Sequence, residues 1–171
     1  MKDTNKMKEL LEKTVNRFCS DPVKVIEQEL SLRSIVYELC GKPHDVGKLI
    51  GPSGCMVDSI QTLWAAMGTQ LGKMVVINVN RTETREKKYK QFKLNPHYNE
   101  FFDCSLLQEL VEFVFNDGVE IEVQEPDLET TRFVIKTDQK SDRLLEIAFN
   151  TIFNAIGYQV GRRLQVRIQS V

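Results

Sequence analysis

Only two histidines and four cysteines occur in the 171 residues of the chain. Cys19, Cys40, Cys55 and Cys104 are scattered without a C-x-x-C pair, and His44 and His97 are their only companions. The pattern predicts neither a metal site nor a disulfide framework, and no cofactor; the cysteines read as reduced, small apolar residues. No apolar run approaches the roughly 18 residues that a membrane span needs. The amino terminus, Met1-Lys2-Asp3-Thr4-Asn5-Lys6, lacks the apolar core of a signal peptide. These absences predict a cytoplasmic protein that does not engage a membrane. Paired carboxylates and a phosphate-binding lysine loop are also missing, and His44 has no third residue to orient it against Cys40 or Cys55, so no enzyme is expected.

Net charge is close to zero, at −1, which excludes coating nucleic acid through charge alone. The charges are nevertheless segregated. Nine Lys/Arg against four acids lie between Lys42 and Lys93, whereas Ser105 to Thr130 holds eight acids and no Lys or Arg. A phosphate backbone is attracted to the first stretch and repelled by the second.

With 42% hydrophobic and 8% aromatic residues, the composition is that of a globular chain with room for one ordinary domain or two small ones. Leu10, Leu11, Val15 and Phe18 have helical spacing within Lys8 to Phe18, ended by Ser20-Asp21-Pro22. Val23 to Glu29 and Ser34 to Leu39 read as a strand pair. Asp45 to Ile50 predicts a turn or two of helix, broken by Gly51-Pro52-Ser53-Gly54. Cys55 to Met67 restarts as a helix with Met56, Ile60, Leu63, Trp64 and Met67 on one side, and Lys73 to Val79 is a third strand. The order is α-β-β-α-α-β.

The second half repeats the first. Trp64-Ala65-Ala66-Met67-Gly68-Thr69-Gln70-Leu71-Gly72-Lys73 and Phe153-Asn154-Ala155-Ile156-Gly157-Tyr158-Gln159-Val160-Gly161-Arg162 match in alanine, both glycines and glutamine, with aromatic against aromatic and Lys against Arg. Upstream, Leu106 to Phe115 is again amphipathic and is stopped by Asn116-Asp117-Gly118. Val119 to Val123 and Arg132 to Lys136 are again a strand pair. The segment from Asp45 to Gly54 is replaced by about the span Asp138 to Arg143, which has no glycine. A duplication is inferred in which the second copy keeps the scaffold without the loop. Asn80 to Pro96, polar and charged, reads as the linker.

Val46-Gly47-Lys48-Leu49-Ile50-Gly51-Pro52-Ser53-Gly54-Cys55-Met56-Val57-Asp58-Ser59-Ile60 resembles the signature of KH domains, an apolar-Ile-Gly-x-x-Gly segment between two helices. In helix-first order the first copy is similar to the small bacterial KH proteins of the KhpA type, over roughly Lys8 to Val79. The resemblance implies an α+β fold of two KH-like domains in tandem, type II in order, each a three-stranded sheet with helices on one face. Boundaries follow at 1–80 for the domain with the loop, 81–103 for a basic linker and 104–171 for a degenerate copy.

The glycines have a steric reason: nucleic-acid backbone approaches main-chain N–H groups closely only where no Cβ intervenes, and the following helix adds its positive dipole end. The resemblance implies single-stranded RNA as partner, clamped at Gly51, Pro52, Ser53 and Gly54, with bases on an apolar groove of Ile50, Val57 and Ile60 beside the strand at Val36. Lys48 is the expected phosphate cation, with Lys42 and Lys73 as further candidates. Pro52 and Ser53 bring no charge to the loop, so binding is expected to be weak. An RNA chaperone or post-transcriptional regulator is what the resemblance implies, with a second copy of the chain or a partner KH protein as protein contact. The alternative is a protein assembly module on a KH-like scaffold whose RNA binding has decayed. Trp64 and Phe153 are expected in the core.

Overall fold

The structure is a computed structural model that describes residues 3–81, 104–115, 118–126, 129–139 and 142–170. The expected linker, 81–103, lies outside these apart from Arg81, and Phe101-Phe102 and Asn116-Asp117 do so too.

Helix α1, Thr4–Asn16, begins four residues before the amphipathic pattern suggests, because Asp3 caps it by accepting the Lys6 N–H at 2.7 Å. Met7, Leu10, Leu11, Thr14 and Val15 form its buried stripe. Strands β1, Lys24–Ser31, and β2, Ser34–Gly41, pair antiparallel around the Leu32-Arg33 turn, with an irregularity between Glu29 and Ser31. Helix α2, Pro43–Ile50, and helix α3, Cys55–Gln70, follow on either side of the glycine loop. Strand β3, Met74–Arg81, then returns parallel to β2, giving the order β1-β2-β3. Asn80 and Arg81, read from sequence as linker, thus belong to the sheet.

The second copy comprises α4, Ser105–Phe115, β4, Glu120–Gln124, β5, Thr130–Thr137, α5, Arg143–Val160, and β6, Arg163–Ser170, in sheet order β4-β5-β6. Its register is that of the first copy. Adding 96 to the pair Lys24↔Cys40 gives Glu120↔Lys136, and the same shift carries Val36 onto Arg132. Across the second pairing Ser34↔Met74 becomes Thr130↔Arg163, so the offset on the returning strand is 89. The drop from 96 to 89 means that seven residues fewer connect β5 to β6 than β2 to β3. They are lost where the first copy has α2 and its loop.

The repeated glycines also superpose in role. Helix α3 ends with the Lys73 N–H donating to the Gly68 carbonyl at 2.8 Å, and α5 with the Arg162 N–H donating to the Gly157 carbonyl at 2.9 Å. A Cβ on Gly68 would lie 2.6 Å from the Lys73 oxygen, and one on Gly157 2.4 Å from that of Arg162. These glycines let each helix end press on the strand that follows it.

Each sheet buries one face under its own helices, and the two helix layers meet, chiefly α3 on α5, with α1 and α3 also against α4. Trp64 and Phe153 are fully buried, as expected, within one hydrophobic core that spans both copies. The Trp64 indole N–H donates to the Met7 carbonyl at 3.0 Å. Phe115, Phe133, Phe149 and Phe153 stack or meet edge-on in the core of the second copy, where Phe113 is also buried. Polar contacts cross between copies as well: Lys6 pairs with Glu109, Lys13 lies 3.3 Å from the same carboxylate, and the Gln70 amide donates to the Val114 carbonyl at 3.2 Å. Among the described residues no helix is long and apolar enough to cross a membrane.

Candidate nucleic-acid interface

Helix α2 sets the loop in place. Pro43 occupies its first turn, where a missing N–H costs nothing, and Val46 and Leu49 are buried. The carboxylate of Asp45, fully buried, accepts the backbone N–H groups of Ser20 at 2.8 Å and Asp21 at 3.1 Å, which ties the α1–β1 connection to α2. Charge-assisted bonds of this kind are roughly twice as strong as neutral ones.

The chain leaves α2 at Gly51 with φ 72° and ψ 174°, a region that essentially only glycine enters. A Cβ there would stand 2.8 Å from the Met56 Cβ and 2.9 Å from its backbone nitrogen. Pro52, Ser53 and Gly54 form one 3-10 turn in which Ser53 takes the left-handed conformation, φ 53° and ψ 25°, costing about 1 kcal/mol or more for a residue with a side chain. Gly54, φ 81° and ψ 4°, is the N-cap of α3. It offers no side chain to accept from the first turn; the Gly54 N–H donates to the Gly51 carbonyl at 3.2 Å and the Cys55 N–H to that of Pro52, and the positive dipole end of α3 lies beside the exposed Pro52 and Ser53.

The side chains around the loop correct part of the sequence reading. Ile50 is 40% exposed and Val57 half-buried, so these two are open beside the loop. Ile60 is fully buried and Val36 nearly so: Ile60 falls one turn after Met56 on the core stripe of α3 and has no surface to give a base. Lys73 lies beyond the far end of α3, whose 16 residues span about 24 Å, and so is not a neighbour of the loop.

Lys48 is close in sequence but engaged. Its side chain is 20% exposed, with the ammonium 3.3 Å from Asp45 Oδ1 and 2.5 Å from Ser20 Oγ. Lys42 is 3.1 Å from Asp21, whose carboxyl is held below its usual range chiefly by that lysine. Of the three expected cations, Lys42 and Lys48 are thus paired with carboxylates, and the exposed Asp58 adds a negative charge in the first turn of α3.

Asp21, His44 and Asp45 bring ligand atoms within 4.8 Å of one another, with His44 Nε2 at 3.1 Å from Asp21 and 3.0 Å from Asp45. The ammonium groups of Lys42 and Lys48 already neutralise these carboxylates, so the cluster works as an ionic staple under α2. It also occupies the histidine weighed as a nucleophile's partner. The Cys19 thiol beside it is pushed up to about 12, mainly by burial and then by the charge of Asp45, and stays protonated at neutral pH.

A pairing that the sequence reading missed recurs in both copies. The Gln61 amide donates to the Val75 carbonyl and accepts from the Ile77 N–H, both at 2.8 Å, and Asn150 accepts from the Val166 N–H at 2.8 Å while donating to its carbonyl. Each amide closes the outer edge of the returning strand, leaving less backbone there for an added strand.

The model of the KhpA/KhpB KH-domain family matches residues 8–79, from within α1 to within β3 and with the loop inside. Proteins named RNA-binding protein KhpA are similar over the same part. The one from Aquifex aeolicus is 32% identical over 75 residues, 43% of this chain and 94% of its own length. That of Clostridium perfringens is 34% identical over 74 residues, covering 99% of its length, and that of Clostridium acetobutylicum 36% over 75 residues, again 99%. The chain belongs to the KhpA/KhpB KH-domain family. Each relative aligns with 43% of the chain, so a KhpA-sized unit is joined here to a second KH-like fold.

Proposed function

We propose that this KhpA/KhpB family member binds single-stranded RNA, weakly, with 1–80 as the RNA-binding KH domain, 81–103 as linker and 104–171 as a loop-less copy that supports it. The observation that carries the reading is the loop: Gly51 holds a glycine-only conformation against Met56, and Gly54 leaves the start of α3 open to an approaching phosphate. The relatives' name, RNA-binding protein KhpA, supports the choice of ligand. Weakness follows from the paired state of Lys42 and Lys48, since attraction then rests on N–H groups and a helix dipole opposed by Asp58. Ile50 and Val57 are the apolar surface available to a base. A role as RNA chaperone or regulator is consistent with low affinity and little sequence readout.

The test is fluorescence anisotropy of the nucleic-acid-free protein with mixed single-stranded RNA at low and moderate salt, beside Gly51→Asp/Gly54→Asp. Salt-sensitive binding that the variant loses supports the reading. Unchanged binding by the variant refutes the site. A second reading, a protein assembly module, is favoured by Leu144 and Ile147, 60% and 50% exposed at the start of α5 where the loop is missing. Absence of RNA binding at high micromolar protein, together with a partner retained from nuclease-treated lysate, would select it.

A further inference from the structure

Strand β6 and its neighbours form a shallow groove of about 560 Å³ in the second copy, with Arg132, Arg163 and Arg167 in its lining. Arg132 lies on β5 directly across from Gln165 and donates to its side-chain oxygen at 3.2 Å. Arg163 and Arg167 are exposed, and neither has an ion pair among the described residues. The acid in the lining, Glu146, spends one carboxylate oxygen on the Ile168 N–H at 3.0 Å. Three guanidiniums therefore face a single carboxylate.

The equivalent positions of the first copy are different in kind. By the shared register Arg132 matches Val36, Arg163 matches Met74, Gln165 matches Val76 and Arg167 matches Asn78. A mainly apolar surface in one copy is cationic in the other, while the core positions of both stay apolar. Of the acidic stretch read from the sequence, Glu125 lies 3.7 Å from Arg162 and the Glu129 carbonyl accepts the Arg163 N–H at 2.8 Å, while three other acids are engaged elsewhere. Glu120 and Glu122 sit on β4, the opposite edge of the sheet, where Lys136 pairs with them, and Glu109 is turned to Lys6 and Lys13.

We propose that this arginine face is a second nucleic-acid contact, holding backbone phosphates of single-stranded RNA at Arg163 and Arg167 with Arg132 behind them; the proposal rests on the RNA-binding reading above. Four residues along a strand put Arg163 and Arg167 on one face about 13 Å apart, so they take separate phosphates. Guanidinium forks suit phosphate oxygens, and the exposed Asn154 amide in the lining suits base edges. The loop-less copy thus contributes exposed charge, whereas the two lysines beside the loop are paired with carboxylates.

The experiment measures the salt dependence of RNA affinity for the full chain, for Arg163→Gln/Arg167→Gln and for Gly51→Asp/Gly54→Asp, with circular dichroism melts to establish folding. Removing two phosphate contacts should flatten the slope of log affinity against log salt by about 1.4, at about 0.7 per contact for single strands. An unflattened slope in the arginine variant, with binding lost in the glycine variant, overturns this site and leaves the RNA-binding reading standing. Wild type that binds no RNA overturns both. Polyglutamate bound more tightly than RNA, and lost in the arginine variant, overturns the proposal in favour of an acidic protein ligand.

Discussion

Replacing Gly51 by alanine separates the two glycines of the loop by mechanism. At Gly51 the backbone, φ 72° and ψ 174°, lies where a Cβ costs about 1–3 kcal/mol. The added methyl also meets the Met56 Cβ and backbone nitrogen within 3.0 Å, and a backbone atom has no rotamer by which to withdraw, so overpacking adds about 1–3 kcal/mol. Alanine restricts the unfolded chain, which returns about 0.4–1 kcal/mol. The balance is a loss near 3 kcal/mol, which for a chain of 171 residues lowers the melting temperature by about 6–12 °C. Gly54→Ala meets only the left-handed penalty of about 1–2 kcal/mol, because its nearest neighbour would be Asp58 Oδ2 at 3.8 Å. Thermal and urea unfolding of the two variants should rank Gly51→Ala as clearly the more damaging. Equal losses, or a smaller loss at Gly51, would refute the claim that this glycine is required by close approach as well as by conformation.

Asp58→Asn should strengthen RNA binding while weakening the helix. A phosphate on the order of 6 Å away is repelled by about 0.7 kcal/mol in water, a factor of about 3 in affinity, and α3 loses about 0.3–1 kcal/mol of favourable interaction with its dipole. Anisotropy at low salt and a thermal melt check both signs, and unchanged affinity would place the phosphate elsewhere. The second expectation concerns acid. The Glu109 carboxyl is held below its reference value of 4.5, chiefly by Lys6 of the other copy. Its stabilisation is therefore present above pH 4.5 and lost as pH falls through the lowered folded value. Glu109→Gln should flatten the fall of melting temperature in that acid window, and a variant that falls as steeply as wild type would exclude this carboxylate.

The loop, the two strand pairs and the repeat were legible in the sequence because each depends on local pattern: period-2 runs, helical stripes and glycines that recur in step. The start of α1 was not, since the Asp3 cap precedes the first apolar residues by which a helix is recognised. The sequence pattern already sets Ile60 on one stripe with Met56, and the expectation of Ile60 in the groove conflicts with it; the structure settles the conflict for the core, with Ile60 fully buried. Distance along the chain points to Lys48. What decides its role is Asp45, an ordinary surface-type residue that the fold buries 24 and 25 residues from its partners Asp21 and Ser20. The Gln61 and Asn150 clamps stand at matching positions of the repeat, and carrying the alignment three residues upstream of Trp64 reveals the paired amides. The arginine face required the sheet order, because Arg132 and Arg167 are remote in sequence and adjoin only through β5 and β6.

Taken together, the two copies conserve what packs and diverge in what faces outward. Gly68 and Gly157 press their helix ends onto the strands in the same way, and Gln61 and Asn150 close the same edge. Loss of seven connecting residues removes α2 and the loop without altering the sheet register, since Thr130↔Arg163 still stands where Ser34↔Met74 does. The scaffold therefore does not need the loop to fold. That independence argues for a reason other than stability for Ser53, whose positive φ beside the positive-φ Gly51 and Gly54 costs a residue with a side chain about 1 kcal/mol or more. Strain kept in the copy that matches the KhpA relatives, with no residue other than glycine at positive φ among the described residues of the other copy, is the pattern expected of a site rather than of a turn.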